Sequence, residues 1–489
     1  MHKTSSFTAF SNQPKGLFLL TFGELCERFG YYGNQMLLVL YLTKIFFLSD
    51  NQSYTFYGAY AAFAYALPVL GGILADRVIG LRKAIILGLT FLIIGNLLLA
   101  FPSFNTFCLG LAFSLCGIGL YKANSASAVG VLYKNDDPQK EVGYTIFYTG
   151  FNIGATLGPI IYSILIYKAG WHAGFIFSAV ILTSNLLLFI YKISKNLKLS
   201  KSTDQKKLNT LATHIFIYLS ITAIIVVINL LLTHTAALNN FISIFFFLTV
   251  IYLLRAAIKL NKQDSKKVIA ILILLFFCIF FFAASFQVGS SINLFINRNV
   301  NRVIFGWEIP TLIFTSLYPL AVIILAPFFS KLWLVLAGKG KNFSVPSRIS
   351  IGLIFASLGF ISFGLSTFSV TNNFALHYPL TFIIIGNLCL GAGELCIAPT
   401  IFTSISQFSP AALRSTMMGA FFLFAAFGGY ISSILAKASN HSSSLINFQL
   451  INTSVYGDVF LKIALLTGLT AIILILATSK IKSLLIPKY

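Results

Sequence analysis

Apolar runs long enough to cross a membrane recur along almost the whole chain, each followed by a short polar interval. They begin near residues 16, 54, 83, 105, 142 and 173, then near 211 and 239, then near 268, 310, 348, 378, 412 and 459. A hydrocarbon core of roughly 30 Å is crossed by about 20 helical residues. The pattern therefore predicts an all-α polytopic membrane protein with fourteen transmembrane helices. The longest strongly polar stretch, SKNLKLSKSTDQKKLNT at 194–210, is too short to bury a core of its own and reads as a linker. Six apolar segments precede it, and six follow the pair at 211–260. The expected organisation is an N-terminal six-helix bundle over 1–194, a basic linker with an inserted helix pair over 195–265, and a C-terminal six-helix bundle over 266–489. Paired bundles of this kind suit transporters that rock about a midplane site. The inserted pair carries no buried charge, Arg255 lying near an end, and reads as lipid-facing packing.

Composition agrees. The 489 residues are 57% hydrophobic and 9% charged, with a mean hydropathy of +0.89, outside the range of soluble domains. The net charge of +22 raises nucleic acid as a partner, but the lysines and arginines sit on short inter-segment loops. Orientation and anionic lipid headgroups account for them, and no nucleic acid is expected. Arg77, Arg82 and Lys83 follow the second segment, Lys134 and Lys140 the fourth, and Lys195, Lys198, Lys201, Lys206 and Lys207 the sixth. Lys259, Lys262, Lys266 and Lys267, then Lys331, Lys339, Lys341 and Arg348, then Arg414, and finally Lys480, Lys482 and Lys488 continue the alternation. The positive-inside rule then puts both termini on the cytoplasmic side of a cell membrane. The first apolar run lacks a small-residue cleavage site and reads as a retained helix. All six cysteines lie in apolar segments without CxxC spacing, so neither a disulfide framework nor a metal site is expected.

The candidate chemistry is concentrated in that first run, GLFLLTFGELCERFGYYGNQMLLVLYL. At helical spacing Glu24, Glu27, Arg28, Tyr31, Tyr32 and Gln35 share one face. Each intramembrane charge costs roughly 2.5–3.5 kcal/mol on insertion scales, so such a stripe marks a substrate or proton pathway. A plain intrahelical pair of Glu24 and Arg28 at i, i+4 is the structural alternative. Only Lys122, in GLYKAN, and Glu394, in GAGELC, add further deep charges. Those two read either as a structural salt bridge or as a gate that breaks and re-forms. The set holds three carboxylates and two cations, hence a formal charge of minus one, and one bound proton would neutralise it. A zwitterionic substrate adds no net charge to such a set. The six histidines fall in termini, loops or segment ends, so the coupling proton must sit on a carboxyl. Asp76 and Arg77 lie at a boundary where charge is cheap and read as organisers of the loop and gating interface. No mid-segment histidine or activated nucleophile supports an enzyme, and no GxxxxGK[ST] loop supports a primary pump.

These residues resemble the proton-dependent oligopeptide transporters of the major facilitator superfamily. The first-segment pattern ExxERFxYYG occurs as Glu24 to Gly33, and GGILADRVIGLRK at 71–83 is similar to the superfamily's loop between helices two and three. FYTGFNIGATLGP at 147–159, GLYKAN, QVGSSINLF at 287–295, GEL with Pro399, and LRSTMMG at 413–419 complete an ordered set that spans nearly the whole chain. The resemblance implies a proton-coupled symporter of di- and tripeptides, acting by alternating access, with protons as coupling ion and no cofactor. It implies that Arg28 and Lys122 face the peptide carboxylate and Glu394 the free amino group. Tyr31, Tyr32, Tyr65, Asn152 and Gln287 would line the pocket, Glu24 and Glu27 would couple the proton through Arg28, and Lys122, Glu394, Asp76 and Arg77 would serve gating. A monomer in the lipid bilayer is expected. Gln35 and Phe286 replace an arginine and an acid that usually pair as an outer gate, while Tyr318 and Phe421 replace an asparagine and a tryptophan of the pocket wall. A carrier of another zwitterionic or peptide-like solute is the alternative, and a non-transporting sensor of the same fold is a further one.

Overall fold

The computed structural model describes residues 13–195 apart from 49, 135, 136 and 138, residues 222–230 apart from 229, residues 241–438 apart from 310, 340–342 and 372–376, and residues 448–485. Two compact units emerge. One comprises Met1–Lys259 with Ile405–Leu423, the other Leu260–Ser404 with Phe424–Tyr489.

The first unit contains α1 (Lys15–Lys44), α2 (Asp50–Leu74), α3 (Gly80–Leu99), α4 (Phe104–Val131), α5 (Gln139–Ala169), α6 (Trp171–Lys195) and α7 (Phe241–Ile258). Its centre is α4, whose side chains from Phe107 to Gly130 are almost all buried and mostly small. Both α2 and α3 pack on it. A Cβ added at Gly71 of α2 would strike Gly119, and one at Gly88 of α3 would fall 2.8 Å from the Tyr121 backbone nitrogen. The expected polar loop at 71–83 is instead a single π-helical turn, Ala75–Ile79. The chain leaves it at Gly80, where φ is +76°, a conformation that only glycine adopts without strain. This turn separates two passes along α4 with almost no unsupported backbone. On the other side, α5 lies against α1. Gly154 and Gly158 leave room for the α1 backbone at Leu25 and Phe29, where any Cβ would collide.

The second unit contains α8 (Lys262–Ser285), α9 (Ser291–Asn299), α10 (Thr311–Gly338), α11 (Val345–Thr371), α12 (His377–Phe408, whose last turn joins the first unit), α13 (Arg414–Ala438, beginning in the first) and α14 (Phe448–Leu485). Serines bind α11 to its neighbours. Ser362 Oγ donates to the Phe382 carbonyl at 2.7 Å and Ser357 Oγ to the Ala464 carbonyl at 2.8 Å. The segment beginning near 268 is not one continuous helix, because a 3₁₀ turn at Phe286–Gly289 separates α8 from α9. A small antiparallel hairpin, Val303–Ile304 with Trp307–Glu308, follows. Its turn residues Phe305 and Gly306 both have positive φ. The hairpin is a minor departure from the expected all-α chain, fixed by the turn rather than by alternating hydrophobicity.

Among the described residues, ten helical runs are long and apolar enough to cross a membrane, the stretch from Tyr60 to Leu99 counting as one of them. The count of fourteen is not reproduced. The segment near 211 falls largely outside the described residues, and α1, with its three charges, is not among the ten.

Candidate functional site

Glu24, Glu27, Arg28 and Lys122 are each no more than 1% exposed. Four charges so far from solvent require mutual compensation or a polar ligand. Arg28 stands between two acids of its own helix. Its Nε–H donates to Glu24 Oε1 at 2.9 Å, and Glu27 Oε2 lies at the same 2.9 Å from that nitrogen. The nitrogen carries a single hydrogen, which points at Glu24, so Glu27 is held by charge alone and neither of its oxygens accepts a hydrogen bond from any described residue. Glu24 is the better anchored acid, since its Oε2 also accepts from Ser125 Oγ on α4 at 3.0 Å.

The outer guanidinium nitrogens of Arg28, Nη1 and Nη2, have no acceptor among the described residues. They meet aromatic faces instead, with the Phe151 ring centroid 4.5 Å and the Tyr31 centroid 5.8 Å from the guanidinium carbon. Lys122 repeats the theme. Its ammonium finds no hydrogen-bond acceptor among the described residues and sits over Tyr65 at 3.7 Å, Phe422 at 4.3 Å and Tyr31 at 6.0 Å. Cation–π attraction compensates part of the burial but leaves the N–H donors unspent. Two cations thus share the Tyr31 ring, with donors to spare and rings for walls, an arrangement whose chemistry suits a carboxylate group.

The tyrosines expected here are present and mutually packed. Tyr31 stacks on Tyr60 at 5.5 Å and meets Tyr32 edge-on at 5.0 Å. Asn152 lies beside Phe151 on α5 and donates to its own helix at the Tyr148 carbonyl, 2.9 Å away. Eight expected residues thus gather in the first unit: Glu24, Glu27, Arg28, Tyr31, Tyr32, Tyr65, Lys122 and Asn152. Phe151, Tyr60, Ser125 and Phe422 join them without having been singled out in the sequence. Ser125 carried a usable signal, since it stands one helical turn from Lys122. Phe422, far away along the chain, carried none, yet its ring covers the ammonium. Gln35, at the position where the resemblance leads one to expect an arginine, donates to Tyr57 Oη at 3.2 Å.

Asp76 stands apart from this cluster. It accepts from the backbone of Ser415 at 3.1 Å and of Thr416 at 2.7 Å, and from Thr416 Oγ1 at 2.9 Å. These N–H groups lie in the first turn of α13, where the helix offers them no acceptor, so Asp76 acts as a remote N-terminal cap. Arg77 lies over the Tyr252 ring at 5.4 Å. In the second unit Glu394 is buried on α12. Gln287, in the break between α8 and α9, is fully engaged. It donates to the Ser432 carbonyl at 2.9 Å and accepts from Ser291 Oγ at 2.6 Å. Among the described residues no group of three or more metal-ligating side chains occurs.

A family model described as the POT family matches residues 82–453. The chain belongs to the POT family. Among POT relatives, dipeptide and tripeptide permease A of Escherichia coli (strain K12) is 28% identical over 97% of this chain and 94% of its own. An uncharacterised transporter of Bacillus subtilis (strain 168) is 29% identical over 85% of this chain and 86% of its own. Among solved structures, a peptide transporter POT in complex with alafosfalin is 27% identical, with a TM-score of 0.69 over 97% of this chain and 96% of the other. A second POT transporter, solved with a thioalcohol-conjugated peptide, shares the fold at a TM-score of 0.72 and 24% identity over 98% of this chain and all of the other. The expected family and the major facilitator fold both hold, and these relatives are transporters rather than enzymes.

Proposed function

We propose that this chain is a proton-coupled symporter that imports di- and tripeptides by alternating access. The observation that carries the reading is the pair of buried cations, Arg28 and Lys122, with unspent donors around one tyrosine ring. They receive the peptide carboxylate, and Glu394 receives the free amino group. Tyr31, Tyr32, Tyr65 and Asn152 meet the backbone, with Gln287 joining by exchanging its bond to Ser432.

The coupling proton is placed on Glu27, whose carboxylate is held by charge alone. Protonation removes one of the two negative charges competing for Arg28, which strengthens its hold on an incoming carboxylate. Proton and peptide therefore bind cooperatively. Lys122 and Glu394 act in gating, and release of the Asp76 cap from α13, with Arg77 beside it, accompanies a change of state. The protein works as a monomer in the cell membrane with both termini cytoplasmic and needs no cofactor.

The test is uptake of radiolabelled dialanine into proteoliposomes, with and without an acidic-outside gradient, challenged by excess di-, tri- and tetrapeptides and free amino acids. Gradient-driven accumulation blocked by di- and tripeptides alone is expected. Indifference of folded protein to both peptides and gradient would refute the reading.

A further inference from the structure

Beyond the charged cluster, the first unit contains an almost wholly apolar pocket of about 220 Å³, smaller than the roughly 300–1,000 Å³ of sites that enclose a whole small-molecule ligand and suited to one slender chain. Leu67, Leu70 and Leu74 of α2, Cys116 and Leu120 of α4, and Ile224 from the inserted segment line it. Arg77 is its one charged lining residue. A solute with several polar groups would leave them unsatisfied against such walls, whereas an alkyl chain loses nothing there.

Arg77 supplies the second observation. Among the described residues no carboxylate lies within ion-pair distance of it. Its neighbour Asp76 is taken up by the start of α13. Arg77 lies over the ring of Tyr252 of α7, which carries no formal negative charge. Arg82 and Lys83 are exposed one turn further on, so the stretch from Asp76 to Lys83 sets three cations against one carboxylate and is net positive. Ile224 and Tyr252 both come from the inserted region, the first contributing to the pocket lining and the second covering Arg77 at its charged end.

We propose that this pocket is a binding site for an anionic phospholipid: an acyl chain fills the apolar cleft between α2, α4 and the inserted segment, and the headgroup phosphate pairs with Arg77. The inserted helices thereby have a role as a lipid clamp rather than as inert packing.

The test is native mass spectrometry of purified protein equilibrated with an equimolar mixture of dioleoyl phosphatidylglycerol and dioleoyl phosphatidylcholine. A retained lipid with about fivefold preference for phosphatidylglycerol is expected, the factor corresponding to about 1 kcal/mol for one arginine near an anionic headgroup. R77Q should lose the preference while still retaining lipid. L70W, which fills the cleft, should lower retention of both lipids, and L70F replaces it where the larger ring prevents folding. K192Q, an exposed cation on α6 away from the pocket, should behave as the parent. Each variant is checked for an unchanged thermal transition. Undiminished preference in R77Q, equal loss in K192Q, or unchanged retention in a folded cleft-filling variant would overturn the proposal.

Discussion

One hydrogen, on Arg28 Nε, sets the asymmetry between the two acids of α1. It commits Glu24 to a hydrogen bond that Ser125 reinforces, and it leaves Glu27 paired by charge only. Replacing Glu27 with Gln keeps the shape and removes the titrating group. E27Q protein should therefore still exchange peptide across a liposome membrane but fail to concentrate it against a gradient. Retained uphill accumulation in counterflow-competent protein would contradict that assignment. At this scale the sequence was highly informative, because charges at helical spacing in an apolar run can face only protein or water. What it left open was which partner each charge takes. The aromatic surroundings of Lys122 belong to three different helices, and nothing in the sequence around Lys122 specifies Tyr65 or Phe422.

Elements meet here through small residues. The FNIGATLGP run places Gly154 directly over the Leu25 carbonyl and 2.8 Å, measured from an added Cβ, from Arg28 Cβ. Substituting Leu at 154 would force α5 off α1 exactly where the guanidinium is seated. Overpacking of a tight contact costs about 1–3 kcal/mol. G154L should accordingly lower the thermal transition of the detergent-solubilised protein and weaken peptide binding, with an unchanged transition counting against the packing described. Sequence periodicity located the long helices well because burial in lipid demands sustained apolar runs. It missed the interruptions. The π turn at Ala75–Ile79 and the 3₁₀ break at Phe286–Gly289 lie inside sequences that are helix-compatible, and only packing partners decide where the backbone departs from α geometry. The hairpin after α9 escaped for a similar reason, being two residues long on each side.

For the whole chain, the charge inventory makes a prediction that no single contact makes. Three deep carboxylates against two deep cations leave one negative charge, neutral with one proton bound. A zwitterionic dipeptide adds none, so each cycle of the proposed symporter moves net positive charge inward. A potential of 100 mV is worth about 2.3 kcal/mol per charge. An inside-negative potassium diffusion potential should therefore accelerate dialanine uptake at constant pH, and uptake insensitive to the potential would contradict the count. The sequence by itself determined the membrane character, the all-helical class, the family and the identity of the buried charges. The family follows from the resemblance of its ordered motifs, and the rest from composition and local spacing, which the bilayer constrains strongly. Only the tertiary structure decided that residues 405–423 join the first unit, that Asp76 caps α13, that Phe422 covers Lys122, and that Ile224 of the inserted segment contributes to the lining of an apolar pocket beside Arg77. Each of these joins residues distant along the chain, and such pairings depend on how whole helices pack rather than on any pattern within one of them.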